Sequence, residues 1–438
     1  MPIHLLAADE AGRFRAEPGL FLAGREWDEL YQLEEWEVIA LPAGASLVLL
    51  PGRHPVGFVD EPAVVCEDEN GRPLWGVAAL LPQGYTRLYL PATEAADAAN
   101  AVGAADGADK VPRTLPLLGY TAVGWDSHRE RYVVAAMKTD DAGRWEPARF
   151  ATPDLKDRIT QRLREFPENR LIRHLARCAG EWGCFTAQNI FYRRWEGGLP
   201  VSPACNAGCY GCLSAQPPES GFPAAQERLE FAPSAAEIAE VAVAHLEEAE
   251  DAIVSFGQGC EGEPSLKADV IGDAIRDIRR AIARGTINMN TNGGRPEEIA
   301  ALCGSGLDSI RVSMISARAE IFRRYYQPRH YDLDDVRRTI RTAREAGARV
   351  SVNLLAFPGL TDREAEVEAW LELIRADRPD MLQVRNLNVD PDAFQTFIDP
   401  EGRAGAAWGE TLGIRSFLQA IQREFPWLRV GSFTHPVK

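Results

Sequence analysis

The run Ser202-Pro-Ala-Cys-Asn-Ala-Gly-Cys-Tyr-Gly-Cys-Leu213 holds three cysteines, Cys205, Cys209 and Cys212, separated by three residues and then by two. Three thiolates at this spacing are one ligand short of filling either a tetrahedral metal or a cubane cluster. Fully ligated clusters usually take four cysteines, and a four-iron cluster held by three keeps one iron open to a small ligand. A structural zinc takes four Cys or His ligands in paired spacings, and no fourth ligand follows Cys212 at such a distance. The competing reading is a structural zinc site, or cysteines placed for packing.

Downstream of the loop, from about residue 230, helix and strand alternate. Helical stretches run near Ala236 to Glu248, Val270 to Arg284, Pro296 to Cys303, Leu333 to Ala346, Glu364 to Arg375 and Glu410 to Glu424. In the stretch from Glu364, Thr361 and Glu364 read as a capping box, and Val367, Trp370, Leu371 and Ile374 make one apolar face. Leu333, Val336, Ile340 and Ala343 do the same, with Gly347 as the stop signal. Such alternation implies a parallel sheet, open or closed into a barrel.

The intervening strands carry polar residues at every second position. Asn288 and Asn290 alternate with Ile287 and Met289, Arg311 and Ser313 with Ile310 and Val312, Ser351 and Asn353 with Val350, Val352 and Leu354, and Gln383 and Arg385 with Leu382 and Val384. Parallel strands are normally buried on both faces, so the polar face must line an interior that holds something. An unpaired buried amide or guanidinium costs several kcal/mol. A polar ligand cavity in an incomplete six-stranded β/α barrel meets the requirement. An antiparallel sheet with one wet face also would, but the intervening helices argue against it.

The cysteine spacing resembles the cluster signature of the radical S-adenosylmethionine (radical SAM) enzymes, and the resemblance extends over roughly residues 198 to 390. It implies an α/β fold, a partial (β/α)6 TIM-like barrel preceded by a smaller β-rich or α+β N-terminal domain. It also implies one 4Fe-4S cluster on Cys205, Cys209 and Cys212, whose open iron chelates SAM. An electron from a flavodoxin- or ferredoxin-type donor then cleaves the sulfonium, and the 5'-deoxyadenosyl radical abstracts hydrogen from a substrate. The cofactors supply the hard step and the protein supplies orientation.

The same resemblance assigns residues. Gly257-Gln-Gly-Cys-Glu-Gly-Glu-Pro264, after the strand Ala252-Ile-Val-Ser-Phe256, is similar to the family's glycine–glutamate element, which makes Gly262 and Glu263 contacts of the SAM amino group. Glycines let backbone approach a ligand closely, and a carboxylate suits an ammonium. Asn290-Thr-Asn-Gly293 resembles the Thr-Asn-Gly turn, with Asn290 as the ribose contact and Asn292-Gly293 equally an ordinary tight turn. Ser313 is expected at the ribose or methionine carboxylate. Asn353 and the turn Phe357-Pro-Gly-Leu-Thr-Asp362 lie beside adenine in this comparison. Arg385 binds the SAM carboxylate or an anionic substrate, or else pairs with Glu261 or Asp390. The family usually carries an aromatic immediately before the third cysteine, against the adenine side of SAM; here that position is Gly211, and Tyr210 is the aromatic expected to bind the cofactor. Catalytic residues acting on substrate are not identifiable. The first barrel strand is expected to include Leu199-Pro-Val-Ser202.

The remaining cysteines divide between readings. Cys178 and Cys184 are two ligands toward a second cluster, but Cys178 also fits the apolar face of its helix. Cys66 and Cys303 read as structural, Cys260 as packing or loop placement, and His245, His330 and the other histidines form no ligand-spaced pair.

The chain has 438 residues, enough for two or three domains of about 150 residues. The expected division is an N-terminal β-rich or α+β domain over 1–154, a helical connector over 155–197, and the barrel with a C-terminal extension over 198–438. In the first part, short apolar runs Glu37–Leu41, Ser46–Leu50, Trp75–Leu81 and Thr86–Leu90 read as strands. Ala92 to Asp109 reads as a flexible loop, and Tyr120–Trp125 with Arg131–Met137 as a hairpin. In the connector, Pro167 interrupts a helical pattern with Leu171, Leu175 and Cys178 on one face.

Composition excludes other classes. Lys and Arg total 48 against 64 Asp and Glu, a net charge of −16, which disfavours a phosphate backbone as partner. No apolar run approaches the ~20 residues of a membrane span, and the N-terminus lacks a charged region with an apolar core. Eight cysteines in so long a chain do not form a disulfide scaffold, so a reducing cytoplasmic location is expected. The expected partners are a small-molecule or peptide substrate and the electron donor. The alternative of another class is a non-catalytic metal-binding interaction protein.

Overall fold

The computed structural model describes residues 3–59, 62–95, 114–141, 143–217, 220–402 and 404–437. Most of the loop expected at Ala92 to Asp109, from residue 96 onward, lies outside them.

The N-terminal part is rich in sheet. The strand Ile3–Ala8 pairs antiparallel with Phe14–Glu26, Val123–Asp126 and Trp75–Leu80. It is apolar almost throughout because both its faces are covered. Ile3, Leu5 and Ala7 enter one apolar cluster, and Leu6 and Ala8 another. The hairpin pairs Val123–Asp126 with Arg131–Val134. Three helices follow, α1 (Leu155–Glu165), α2 (Arg170–Gly180) and α3 (Phe185–Tyr192). Pro167 falls in the break between the first two. Asn169 caps α2 by accepting from the Ile172 amide, and Leu171, Leu175 and Cys178 are buried on its inner face.

The barrel is a seven-stranded, all-parallel open sheet in sequence order. Its strands are β1 (Glu196–Gly198), β2 (Ile253–Phe256), β3 (Thr286–Thr291), β4 (Ser309–Met314), β5 (Arg349–Ala356), β6 (Met381–Asn386) and β7 (Arg429–Gly431). A short seventh strand thus joins the six expected. The covering helices are α4 (Ala235–Glu248), α5 (Ala268–Ala281), α6 (Pro296–Ser305), α7 (Ala319–Tyr326), α8 (Leu333–Glu345), α9 (Glu364–Asp377), α10 (Pro391–Ile398), α11 (Ala404–Trp408) and α12 (Ile414–Glu424). The apolar residues of β3 to β6 face these helices in one continuous core.

Local expectations differ from the structure in several places, among them the first residues of the expected loop, where Thr93–Ala95 pair as a strand with residues 53–55. Strand β1 ends at Gly198, before the Leu199–Ser202 run. Pro200 has no amide to give the ladder, and the Val201 and Ser202 amides donate to the Glu261 carboxylate instead. The capping box at Thr361 does not form, because the Thr361 hydroxyl accepts from the Phe357 amide and Arg363 takes the cap position. The last long helix begins at Ile414 rather than Glu410.

The N-terminal part docks on the ends of β5 and β6. Arg87, fully buried, donates to the Leu387 carbonyl at 2.8 Å, and Asn386 bridges the Arg87 amide and the Tyr85 carbonyl. Arg53 pairs with Asp390 at 3.1 Å and Asp392 at 2.7 Å, and Arg25 joins Asp392 at 2.6 Å. Gly359, at φ +80°, lets its turn pass so close to Trp27 that a Cβ there would lie 2.3 Å from the Trp27 nitrogen.

Candidate active site

The cysteine loop is fixed at its root by one carboxylate. Glu261, buried in the turn after β2, accepts four backbone amides. Oε2 takes Val201 at 2.7 Å and Ser202 at 2.9 Å, and Oε1 takes Gly257 and Gln258, both at 2.7 Å. Beside it the Gly262 amide donates to the Ser202 carbonyl at 2.7 Å and the Glu263 amide to the Ala204 carbonyl at 2.9 Å. This approach requires glycine, since a Cβ on Gly262 would lie 1.9 Å from the Ala204 oxygen. Further along, Gly208 and Tyr210 donate to the carbonyls of Tyr326 and Tyr325 at the end of α7, and Arg329 donates to that of Asn206. Asn292 in the turn after β3 reaches Asn206 at 2.7 Å. The loop is therefore held against the turns after β2 and β3 and the end of α7, at the C-terminal ends of the strands, where ligands of parallel sheets bind.

All three cysteines are partly buried, and their thiols interact electrostatically. Burial pushes the Cys205 thiol up and the Cys209 thiol well up, and the neighbouring thiols add to the rise. They do not close on each other. Among the described residues, the only three Cys, His, Asp or Glu ligand atoms lying within 4.8 Å of one another belong to a different group, His174, Cys178 and Cys260. Tetrahedral zinc draws sulfurs to about 3.8 Å, so the wider set at 205–212 fits a cubane better than a zinc ion. Arg228 donates to the Cys212 sulfur at 3.5 Å and to the Ser214 hydroxyl at 3.1 Å. Tyr326 and Tyr331 interact electrostatically with Cys209, and both buried hydroxyls lack a hydrogen-bond partner among the described residues. Two orphaned hydroxyls beside three thiols fit a polar inorganic group held there.

Each expected contact residue has a definite position. Glu263 lies beside the loop, but its carboxylate accepts from the Thr291 hydroxyl at 2.6 Å, the Asn292 amide at 2.8 Å and the Ser265 amide at 3.0 Å. Burial raises its pKa. The Gly262–Glu263 element therefore presents backbone toward the loop, while the carboxylate joins the turn after β3 to the turn after β2. The Tyr210 ring stacks on Phe397 at 4.3 Å and touches Phe222 and Phe394, which makes it the apolar anchor of the loop. Gly211 has φ +77°, and a Cβ there would lie 3.0 Å from Val389, so the aromatic stands one place earlier. Asn290 donates to the Gly257 carbonyl at 3.0 Å and accepts from Asn288. Ser313 and Asn353 are register partners on β4 and β5, and the Asn353 Oδ1 has no hydrogen-bond partner among the described residues. Arg385 pairs with neither Glu261 nor Asp390; it donates to Gln83 at 3.0 Å and to the Ser432 carbonyl at 2.9 Å.

Not all of the polar face awaits a ligand. Its lower layer satisfies itself through Ser255 to Glu196, Asn288 to Ser255 and Ser309 to Asn288. The tail after β7 crosses the interior, with Thr434 bonded to Arg311 and Glu196 and the Val437 amide bonded to Thr286. Sequence reasoning missed Arg228, Tyr326, Tyr331 and Glu196. The two tyrosines sit on or just after α7, a helix of 8 residues, too short to declare itself by periodicity.

Residues 199–371 match the family model described as the radical SAM superfamily. The chain thus carries a radical SAM domain over these residues. Among curated proteins no sequence matches it. It is similar to a solved radical SAM methyltransferase from Sphaerobacter thermophilus at 16% identity and TM-score 0.36, over 48% of this chain and 64% of that one. Similarity to Streptococcus suis SuiB bound to its precursor peptide SuiA is 14% identity and TM-score 0.38, over 60% and 53%. For the FeFe-hydrogenase maturase HydG from Carboxydothermus hydrogenoformans the values are 16% and 0.34, over 63% and 70%. The match thus spans about half to two thirds of the first two proteins' length.

Proposed function

We propose that Cys205, Cys209 and Cys212 hold one site-differentiated 4Fe-4S cluster, and that this chain uses it to act on a small anionic substrate inside the barrel. The cluster with SAM would supply, on one-electron reduction, the 5'-deoxyadenosyl radical that takes a hydrogen atom from the substrate. The chain's part is placement. Glu261 and the Gly262 approach fix the loop, Arg228 donates to the Cys212 sulfur, and Asn290, Ser313 and Asn353 would contact SAM from β3, β4 and β5.

The observation that carries the anionic reading is a pair of guanidiniums on the polar face. Arg311 and Arg385 repel each other, and Glu196, 3.8 Å from Arg311, attracts both. Burial lowers the pKa of both, Arg385 to about 10, and arginine keeps its charge in proteins. Two cations against one carboxylate in a partly desolvated space favour an anion. Arg385 also lines a cavity of about 200 Å³ with Gln83, Asn386 and Asn388. The N-terminal part would thus help form the substrate chamber.

Anaerobic reconstitution should give about four irons per chain and reductant-dependent 5'-deoxyadenosine from SAM. Cys209→Ala should abolish both. One bound zinc at this loop with SAM left intact would support the metal-binding alternative instead. For the substrate, the anion-exchange-retained fraction of a metabolite extract should raise 5'-deoxyadenosine formation above its uncoupled rate. Stimulation confined to neutral or cationic fractions would overturn the anionic reading.

A further inference from the structure

His174 and Cys178 stand four residues apart on α2, so they share one face of the helix. The His174 Nε2 lies 3.4 Å from the Cys178 sulfur. Cys260, in the turn after β2, meets them from the barrel side. The three ligand atoms lie within 4.8 Å of one another, and all three residues are buried. In a tetrahedral zinc site with bonds of about 2.3 Å to sulfur and 2.0 Å to nitrogen, neighbouring donors stand about 3.5 to 3.8 Å apart. The trio is close to that geometry.

The surroundings hold each donor in place. The His174 ring meets Trp182 and Phe231 edge-on. Cys260 is fixed by the Leu229 amide on its carbonyl and by the neighbouring Glu261 clamp. Cys184, which precedes α3, donates its amide to the Cys178 carbonyl at 3.0 Å, and its thiol interacts electrostatically with Cys260. Trp182 and Leu229 also line an open groove of about 850 Å³, which provides a path inward.

We propose that His174, Cys178 and Cys260, with Cys184 as the fourth ligand, bind a zinc ion that ties α2 to the glycine-rich turn. Soft thiolates with one imidazole suit zinc, and four protein ligands make the site closed and structural. Cys184 stands outside the trio with its sulfur 3.3 Å from the Thr186 hydroxyl, and a rotation of its side chain toward Cys260 would supply the fourth ligand. The ion would sit two residues from Gly262. It would brace the turn that positions the cysteine loop without taking part in the chemistry.

The test supplies the full chain anaerobically with one equivalent of zinc chloride and reads the zinc alone by X-ray absorption, which is blind to any iron. Expected are one zinc per chain, sulfur neighbours near 2.3 Å and one nitrogen near 2.0 Å. A triple variant with Cys205, Cys209 and Cys212 changed to alanine should keep this zinc, which separates the proposal from the cluster reading. Cys178→Ser should lose it, and Cys184→Ser should bind it at least tenfold more weakly. No stoichiometric zinc on the wild-type chain, coordination without sulfur, zinc that survives Cys178→Ser, or a Cys178–Cys260 disulfide in the reduced protein would each overturn the assignment. Should Cys178→Ser fail to fold, the wild-type absorption spectrum alone still decides.

Discussion

Replacing Gly262 by alanine perturbs the site by a single methyl group. The new Cβ would stand 1.9 Å from the Ala204 oxygen, 2.4 Å from its carbon and 3.0 Å from the Cys205 nitrogen. Ordinary contact begins at 3.4 Å, so the two backbones must part by about 1.5 Å. That separation takes the bonds from Gly262 to Ser202 and from Glu263 to Ala204 out of hydrogen-bonding range. Two buried backbone bonds at about 1 kcal/mol each, with about 1–3 kcal/mol of overpacking, put the cost at roughly 3–5 kcal/mol. The loop can avoid the clash only by moving Cys205, so most of the loss should fall on cluster binding. A loss of 3 kcal/mol is more than a hundredfold in an equilibrium constant. The assay is iron and 5'-deoxyadenosine per chain after anaerobic reconstitution, compared with Gly304→Ala in α6, where an added Cβ meets nothing within 4 Å. Gly304→Ala should match the wild type. Gly262→Ala with wild-type iron and wild-type SAM cleavage would refute the close-approach argument.

Glu261→Gln retains one carbonyl oxygen where the carboxylate served four amides, so two buried amides lose their acceptor. A loss of about 2–4 kcal/mol is expected in denaturant unfolding of the barrel, and an unchanged transition would contradict the clamp. Arg228→Ala removes a cation beside Cys212 and should lower the cluster's reduction potential by roughly 50–100 mV, checked by anaerobic potentiometric titration. Burial and the nearby Asp362 charge push Glu26 up to about 8, and burial pushes Asp362 up to about 7. Both carboxyls are thus protonated in the fold at pH values where an exposed carboxyl has already ionised. Their contribution to stability is complete below about pH 4.5 and is lost as pH rises through 7 to 8. The melting temperature of Glu26→Gln should therefore fall less between pH 5 and pH 8 than that of the wild type, and parallel curves would exclude the effect.

Local features of the fold and site were legible in the sequence. The parity of Asn290, Ser313, Asn353 and Arg385 is a property of each strand alone, and the spacing of the three cysteines lies within eight residues of chain. What was illegible depends on segments far apart. Nothing near Glu261 indicates that it will gather the amides of Val201 and Ser202, sixty positions upstream. Cys178 reads as one more apolar residue on α2 until the turn after β2 brings Cys260 to it. Thr361 and Glu364 have the spacing of a capping box, yet the tight Phe357–Thr361 turn claims the hydroxyl first. Helices α7 and α10, of 8 residues each, pass below the length at which an apolar stripe is distinguishable from a loop. They supply Tyr326 beside Cys209 and Phe394 and Phe397 against Tyr210. The polar lower layer of the barrel was read as a ligand wall because the returning C-terminal tail, which covers it, follows the sixth strand by some fifty residues.

The central claim is a cubane with one iron left for a small ligand. Mössbauer and electron paramagnetic resonance spectra of the anaerobically reconstituted, reduced chain test it directly, recorded with and without SAM. The account predicts a four-iron signal of which one iron site alone changes its parameters when SAM is added. A cluster whose four irons are indifferent to SAM, or a chain that assembles no four-iron cluster at Cys205, Cys209 and Cys212, would contradict it.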